Sequence, residues 1–270
     1  MYSRILKPSS FLAPYIKMYW TFENVLNPGE KCIQRIIPNG LLEIIFYLED
    51  IPEILTEKRH LKSHSMISGQ KNDYYDLVIS GKTKLFSIIF EPFGLPVFFD
   101  MPVSEIFNRS VPLRFIVGPR LDELEDLLYK TKHPEEQQMI VEKFLFQQLI
   151  KKQNYQLGRI SESIKRMNLS GGGNPVPQLA SHVCLSRKQY ERTFNDLVGI
   201  SPKQFLRVIR FQRALFGRQN HPGLKLTELA CDAGYFDQSH MISEFKQFSG
   251  LTPKQFFEQC PPFSDYFVSR

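Results

Sequence analysis

The fold of the C-terminal part of the chain follows from "LASHVCLSRKQYERTFNDLVGISPKQF" at Leu179–Phe205, because a similar stretch recurs later in the chain. The second copy, "LACDAGYFDQSHMISEFKQFSGLTPKQF", occupies Leu229–Phe256. The copies align at an offset of 50 residues before their central turn and 51 after it, so the second copy has one extra residue in the turn. Loops tolerate such insertions. Two copies are too few for a solenoid, which needs at least three repeats.

Each copy predicts a short helix, a tight turn and a second helix. In copy one, Ser186 with a glutamine three residues later is typical of a helix N-cap, and Gly199 is typical of a helix end. In copy two, Asp237 and Gly250 take these places, and Thr227 is the predicted N-cap of the first helix. A helix, a turn of three or four residues and a second helix make a helix-turn-helix, whose second helix can lie in the DNA major groove.

The large apolar residues of each second helix recur at spacings of three and four, which predicts one buried face. These residues are Tyr190, Phe194 and Leu197 in copy one and Met241, Phe245 and Phe248 in copy two. The opposite face carries Arg187, Lys188, Glu191 and Arg192 in copy one, and Gln238, Ser239, Ile242 and Ser243 in copy two. Arginine and lysine can pair with guanine, glutamine with adenine, serine with either, and glutamate with cytosine. For any one of these residues, a solvated helix face is the alternative.

The repeated "PKQF" predicts a helix start that closes each copy. Serine or threonine caps the helix, and proline fits its first turn. Lys203 and Lys254 then lie in that first turn, where lysine and free backbone N–H groups can bind phosphate. Purely structural capping is the alternative role. The phenylalanines that follow, Phe205 and Phe256, are predicted core residues.

Between the copies, residues 203–218 predict one uninterrupted helix. At about 1.5 Å per residue it spans roughly 20–25 Å and would separate the two units rigidly. Successive major-groove faces on one side of DNA lie about 34 Å apart, so two linked units can occupy adjacent turns without a dimer. Basic residues on this helix and at the ends of the others suit backbone contact. The phosphate-contact candidates are Arg187, Lys203, Arg207, Arg210, Lys246 and Lys254.

With these motifs, "LASHVCLSRKQYERTFNDLVGISPKQFLRVIRFQRAL" and "LTELACDAGYFDQSHMISEFKQFSGLTPKQF", residues 156–260 resemble the DNA-binding domain of the AraC/XylS family. The resemblance implies a bacterial transcription regulator with helix-turn-helix units at about 176–199 and 226–250 on a connecting helix. It maps base contacts to Lys188, Glu191, Arg192, Gln238, Ser239, Ile242 and Ser243.

Two departures from the family pattern bear on the site. Cys184 stands where the family usually has glycine, which implies a less tight first turn. Ser243 stands where similar members often have arginine, which implies a weaker base contact from copy two. Copy one, the more basic, is therefore expected to dominate affinity.

Residues 1–155 predict a β-rich domain with two helices at its C-terminal end. Cys32–Leu48 contains two strand-like runs split by a Pro-Asn-Gly turn, and Asp76–Phe90 reads as a hairpin around Gly81. Leucines at helical spacing from Leu121, and Pro134 at a helix start, predict the two helices, which would pack on this domain or against another subunit. A third helix is predicted over 157–167, and the glycine run at 171–173 is interpreted as a flexible loop. "RIIPNGLLEIIF" and "FEPFGLPVFFDMPVSEIFNRSVPL" resemble poorly characterised β-rich sensor domains that precede this module in some members.

The predicted fold class is therefore α+β with two domains: a β-rich sensor or dimerisation domain (1–155), an all-α DNA-binding domain (156–260) and a tail (261–270). The net charge of +6 divides into −2 for residues 1–150 and +8 for residues 151–270, which favours a polyanionic partner for the second half. No apolar run approaches the roughly 20 residues of a membrane span, so a cytoplasmic protein without membrane contact is expected.

The sequence indicates neither a cofactor nor a metal site. The four cysteines are scattered without C-x-x-C spacing, and the pair His60 and His64 lies in a charged segment typical of a solvated loop or helix. No phosphate-binding loop signature accompanies the glycine run.

The main functional hypothesis is a sequence-specific regulator that binds double-stranded DNA and whose first domain senses a small molecule or mediates dimerisation. RNA polymerase, an unidentified effector and a second copy of the chain are further partners of such a protein. A regulator without ligand, controlled by a partner or by abundance, is the alternative. An enzyme fused to a DNA-binding module, such as a repair alkyltransferase, is not supported, because Cys32 lies in no catalytic motif.

Overall fold

The computed structural model describes residues 2–55, 59–60, 63–149 and 155–259. Two compact units are present, and two short segments from the first third of the chain belong to the second unit. The first unit comprises Met1–Gln34, Leu41–Gly69 and Asp76–Gln153, and the second comprises Arg35–Gly40, Gln70–Tyr75 and Asn154–Arg270. Residues 150–154, Cys260 and the predicted tail at 261–270 lie outside the described residues.

Most strand residues belong to the first unit, and the strands form two sheets. The described strands are β1 (Tyr2–Leu6), β2 (Ile16–Val25), β3 (Lys31–Ile36), β4 (Leu42–Tyr47), β5 (Glu53–Ile54), β6 (Arg59–His60), β7 (Ser65–Ser68), β8 (Tyr75–Ser80), β9 (Lys82–Phe90) and β10 (Ser110–Pro112). One sheet has the order β1-β2-β9-β4-β7-β10 and the other the order β3-β8-β5-β6. The long strand β9 is central, since it pairs with β2 on one side and with β4 on the other.

The predicted hairpin around Gly81 is wrong, although both of its strands exist. Strand β8 lies in the four-stranded sheet and β9 in the six-stranded sheet, so the chain crosses between sheets at this turn. Gly81 has a φ of +66°, and a Cβ there would lie 2.4 Å from a carboxylate oxygen of Asp50. A short loop between two apolar strands does not by itself tell a hairpin from such a crossing, because strand pairing depends on distant partners.

Three helices follow the strands: α1 (Arg114–Val117), α2 (Arg120–Lys130) and α3 (Pro134–Gln148). Leu121, Leu124 and Leu128 from α2 and Phe144 from α3 share one buried cluster with β9 residues such as Phe86. These helix faces pack on the β-rich domain of the same chain, which is one of the two arrangements that the sequence predicted. The start of α3 at Pro134 is confirmed.

The described helices of the second unit are α4 (Tyr155–Leu169), α5 (Val176–His182), α6 (Arg187–Val198), α7 (Pro202–Asn220), α8 (Leu226–Asp232), α9 (Gln238–Ser249) and α10 (Pro253–Gln259). Helices α5 and α6 form the first helix-turn-helix, α8 and α9 form the second, and α7 connects them. The predicted helix over 157–167 is α4, which is slightly longer at both ends.

The ends of α6 and α9 lie where the predicted caps put them. Ser186 accepts from the backbone N–H of Gln189 in a capping box, and Asp237 caps α9 in the same position. Gly199 and Gly250 end the two helices in the left-handed conformation, with φ of 91° and 73°. The predicted N-cap at Thr227 is wrong, because α8 already begins at Leu226. There the N–H of Lys225 donates to the Glu228 carboxylate at 3.1 Å instead.

The glycine run is packed against α7. A Cβ at Gly171 would lie 1.6 Å from the Arg213 guanidinium, and one at Gly172 would lie 2.8 Å from the carbonyl oxygen of Leu206. Both glycines also have positive φ. The loop interpretation therefore needs a correction: both positions favour glycine because of their positive φ, and Gly172 also because the loop backbone approaches the backbone of α7 closely.

The two early segments of this unit pack on its second half. Ile37 is buried in one cluster with Val208 and Phe211 of α7, and Gln212 Nε2 donates to the Pro38 carbonyl at 2.7 Å. Arg35 Nη1 donates to the carbonyl of Ser249, the last residue of α9, at 2.9 Å. The helical unit thus includes residues that the sequence pattern places among the strands.

Candidate nucleic-acid interface

The buried face of α6 is the predicted one. Tyr190, Phe194 and Leu197 are all buried, and the Phe194 ring meets that of Phe205 at 5.6 Å between centroids. The Tyr190 hydroxyl lies 2.5 Å from the Ser163 hydroxyl of α4, and burial raises the pKa of Tyr190 to about 12. Helix α6 is therefore fixed from the side that faces α4 and α7, which leaves its other side to solvent.

The solvent side of α6 carries the charged residues Arg187, Lys188, Glu191 and Arg192, and the exposed Asp196 follows near the end of the helix. Arg187 Nε and the Glu191 carboxylate form an ion pair at 2.9 Å, one helical turn apart. Lys188 and Arg192 are exposed. No hydrogen bond or ion pair joins either of these two to another described residue. Two cations are thus free for an anionic or hydrogen-bonding partner, and Glu191 is occupied by Arg187.

The buried face of α9 is also the predicted one. Met241, Phe245 and Phe248 are buried. The ring centroids of Phe245 and Phe248 lie 4.9 and 5.1 Å from the ring centroid of Phe211 in α7. An aromatic contact with Phe256 at 6.1 Å adds α10 to the same core.

A charged network that the apolar pattern does not predict ties α9 to α7. The Glu244 carboxylate is buried and accepts from Arg207 Nε at 2.7 Å, with Arg210 Nη2 at 3.6 Å and His240 Nε2 at 3.4 Å. Arg207 also donates to Gln247 at 2.5 Å. Glu244 lies between the exposed Ser243 and the buried Phe245, and Arg207 is 37 residues away, so no local signal marks the pair.

This network changes the interpretation of Arg207 and Arg210, which were expected to contact phosphate. Both guanidinium groups are turned inward, with Arg210 Nη1 donating to the Gly172 carbonyl at 3.1 Å. Their binding partners lie within the protein, so they join the helices of the domain instead of extending its basic surface.

The solvent side of α9 is nearly uncharged. Ser239 and Ser243 are exposed, and Gln238 and Ile242 are partly exposed. Lys246 is exposed further along the helix. The structure therefore places all four predicted base-facing residues of copy two on the solvent side, but with a chemistry unlike that of copy one.

The two closing motifs adopt the same capped start. Ser201 accepts from the N–H of Gln204 at 3.2 Å, and Thr252 accepts from that of Gln255 at 3.3 Å. Lys203 and Lys254 are exposed in the first turn of α7 and α10.

The turns of the two copies have matching hydrogen bonds. Leu185 N–H donates to the Ala180 carbonyl at 3.0 Å, and Tyr235 N–H donates to the Ala230 carbonyl at 2.9 Å. Cys184 has a φ of 55°, close to the left-handed conformation that Gly234 adopts at the equivalent position. The expectation of a less tight first turn is therefore wrong: the turn is equally closed, and the cysteine bears backbone strain instead.

Comparisons with known proteins agree with this geometry. Residues 179–259 match the sequence profile described as a helix-turn-helix domain. The chain carries an AraC-type helix-turn-helix domain. Residues 4–112, ahead of this AraC-type domain, match a domain of unknown function, DUF6597.

Two relatives match parts of the chain. An uncharacterised HTH-type transcriptional regulator of Haemophilus influenzae is 28% identical over 130 residues, which are 48% of this chain and 41% of the relative. The HTH-type transcriptional regulator ArgR of Pseudomonas aeruginosa is 30% identical over 80 residues, 29% of this chain and 23% of the relative. The chain thus spans less than half the length of these curated relatives.

Among solved structures, ToxT of Vibrio cholerae is similar with a TM-score of 0.46 and 9% identity, covering 89% of this chain and 98% of ToxT.

Within the described part of the chain, no helix combines the length and the apolar character that crossing a membrane requires.

Proposed function

We propose that the protein binds double-stranded DNA sequence-specifically through its two AraC-type helix-turn-helix units and regulates transcription. The observation that carries the proposal is the pair of units itself. Each second helix buries a complete apolar face and leaves a polar face to solvent, as a helix that enters the major groove must. The names of the two relatives, both transcriptional regulators, support the same function.

In the first unit, Lys188 and Arg192 are the proposed readers of guanine, since both are exposed and free of partners among the described residues. Glu191 would reach cytosine only after exchanging its ion pair with Arg187. Arg187 is then available to phosphate. In the second unit, the proposed contacts are Gln238, Ser239, Ile242 and Ser243, with weaker electrostatic attraction.

Phosphate contact is proposed for Lys203, Lys246 and Lys254, which are exposed, and not for the two inward-facing arginines of α7. Lys203 and Lys254 stand in equivalent places, so each unit would contact the backbone once beside its recognition helix. Backbone contacts of this kind fix register and orientation without reading sequence.

The direct test is selection of bound sequences from a random double-stranded pool by the full chain. The expected result is a defined motif bound with a Kd of about 10⁻⁸ M or tighter at physiological salt. Binding that is equal for selected and scrambled DNA would contradict the proposal.

Control by a small molecule in the β-rich unit is the finer part of the proposal. Glu43 alternates on β4 with the core residues Leu42 and Ile44, so its side chain lies on the other face of the sheet. It bonds with the Ser87 hydroxyl, and burial raises its pKa to about 7. A carboxyl group whose pKa is raised by burial is a candidate functional-site residue.

A thermal-shift screen of the full chain, with Glu43→Gln as the matched control, tests this part. We expect a compound that raises the melting temperature of the wild-type protein, does so less for the variant, and changes DNA affinity. A protein whose DNA binding no compound alters would favour the alternative, a regulator controlled by a partner or by its abundance. Homodimerisation and contact with RNA polymerase are further proposals.

A further inference from the structure

The second helix-turn-helix contains one residue that has no counterpart in the first. Leu185 and Tyr235 are equivalent, because each donates its backbone N–H to the carbonyl of the alanine in the repeated Leu-Ala pair. Ser186 and Asp237 are equivalent as the N-caps of α6 and α9. Leu185 and Ser186 are adjacent, whereas Phe236 lies between Tyr235 and Asp237. Phe236 is therefore the inserted residue.

Phe236 is also the most exposed of the large apolar residues that the structure describes. Its relative exposure is 93%, whereas its neighbour Tyr235 is buried at 5%. An insertion in a turn needs only a small polar residue. A fully exposed phenylalanine contributes nothing to the core, so its side chain is available to a partner, and its place in the fold decides which one.

The position of Phe236 makes that partner DNA. It directly precedes the N-cap of α9, and the N-terminal residues of a recognition helix are those that contact base edges. Six residues further along the chain, on the solvent side of α9, lies Ile242, which is partly exposed. Ser239 lies between the two apolar residues in the chain and Ser243 follows Ile242, so this end of α9 presents apolar surface and hydroxyl groups, with the Asp237 carboxylate bound to the helix as its N-cap.

We propose that Phe236, together with Ile242, reads thymine methyl groups in the part of the DNA site that the second unit binds. The inference rests on the proposed function, in which α9 enters the major groove. The C5-methyl of thymine is the apolar group that base pairs present there, and phenylalanine is among the side chains that contact it. The second subsite should accordingly be rich in A·T pairs, with Gln238 suited to adenine, whereas the first subsite should contain guanine.

The experiment compares DNA with and without those methyl groups. The wild-type motif is first selected from random DNA, and its second subsite is then synthesised with deoxyuridine in place of each thymine in turn. Dissociation constants are measured for the wild-type chain and for Phe236→Ser. Phe115→Ser is the matched control, because Phe115 is 81% exposed and belongs to α1 of the β-rich unit. Equal melting temperatures of the three proteins confirm folding.

We expect one deoxyuridine substitution to weaken wild-type binding about fourfold, the equivalent of one buried methyl group. Phe236→Ser should bind the thymine site about fourfold more weakly and should lose nothing further on that deoxyuridine. The Phe115→Ser control should behave as the wild-type protein on both DNAs.

Three results would overturn the inference. Phe236→Ser could bind the thymine site as tightly as wild type, which would remove any role in DNA contact. It could instead lose affinity equally on both DNAs, which would assign Phe236 to sugar or backbone contact. If the wild-type chain selects no motif at all, the proposed function fails, and this inference fails with it.

Discussion

The two helix-turn-helix units of this chain share a scaffold and differ in what they present to solvent. Both have matching turn hydrogen bonds, three buried apolar residues at equivalent positions of the second helix, and a helix with the same kind of cap after it. The equivalent solvent-side pairs are Arg187 and Gln238, Lys188 and Ser239, Glu191 and Ile242, and Arg192 and Ser243. The shared residues are those that fold the unit, and the divergent ones are those that a DNA site would meet.

The units also differ in how their second helices are held. Helix α9 is tied to α7 by the buried Glu244 and two arginines, whereas the equivalent residue of α6 is Thr193, which is only partly buried. Helix α6 is fixed instead by a hydroxyl contact between Tyr190 and Ser163 of α4. The position of α9 therefore depends partly on charge pairing, whereas no ion pair among the described residues ties α6 to a neighbouring helix.

The largest expected effect is on this difference in attachment. Glu244→Ala leaves Arg207 and Arg210 partly buried without their carboxylate, which should destabilise the helical unit by about 3 kcal/mol. Thr193→Ala, the matched change in copy one, should alter stability by no more than about 0.5 kcal/mol. Urea unfolding followed by circular dichroism measures both, and equal destabilisation by the two variants would show that the attachment is the same.

The next prediction concerns DNA affinity. Arg192→Ala should weaken binding to the selected site by about 1–3 kcal/mol and relax preference at one base pair, because a guanidinium pairing with guanine is lost. Ser243→Ala, at the equivalent position of copy two, should cost less than half as much. Titrations by fluorescence anisotropy on single-base variants of the site give both values. A larger loss for Ser243→Ala would reverse the assigned dominance of copy one.

A smaller effect is expected at the positions where the two units are alike. Lys203→Ala and Lys254→Ala should each weaken binding to all sequences similarly and reduce the slope of log K against log salt by about one. Lys130→Ala in the β-rich unit is the control, since Lys130 is an exposed lysine at the end of α2. A loss confined to the selected motif would contradict phosphate contact by either lysine.

The smallest effect is expected in the turns. Cys184→Gly should stabilise the first unit by about 0.5–1 kcal/mol, because glycine adopts the left-handed conformation without strain. Gly234→Ala in the second unit should destabilise by about 1 kcal/mol for the same reason. Thermal unfolding at constant pH measures both changes. If Cys184→Gly instead destabilises the first unit, contacts of the cysteine side chain relieve the strain.

Local signals explain which parts of the structure could be predicted from the sequence. Helix ends followed from caps such as Ser186 and Asp237, and buried faces followed from the spacing of large apolar residues such as Phe194 and Phe245. Both depend on residues within one or two turns. The same locality predicted the strands and the helices that follow them.

The parts that could not be predicted depend on distant partners. The assignment of β8 and β9 to different sheets is decided by β2 and β4, which lie far away in sequence. Glu244 reads as a polar residue on a helix until Arg207 is placed beside it. The close approach of the loop to α7 at Gly172 is also a long-range contact, and the membership of residues 35–40 in the helical unit comes from their packing on α7.

The most direct test of the central claim, one scaffold with two different reading surfaces, is the sequence motif that the wild-type chain selects from random DNA. We expect a bipartite and asymmetric motif, with one guanine-containing subsite and one thymine-rich subsite separated by about one helical turn of DNA. Arg192→Ala should blur only the first subsite, and Phe236→Ser only the second. A motif of two identical subsites, or one in which both variants blur the same bases, would show that the two units do not read different bases.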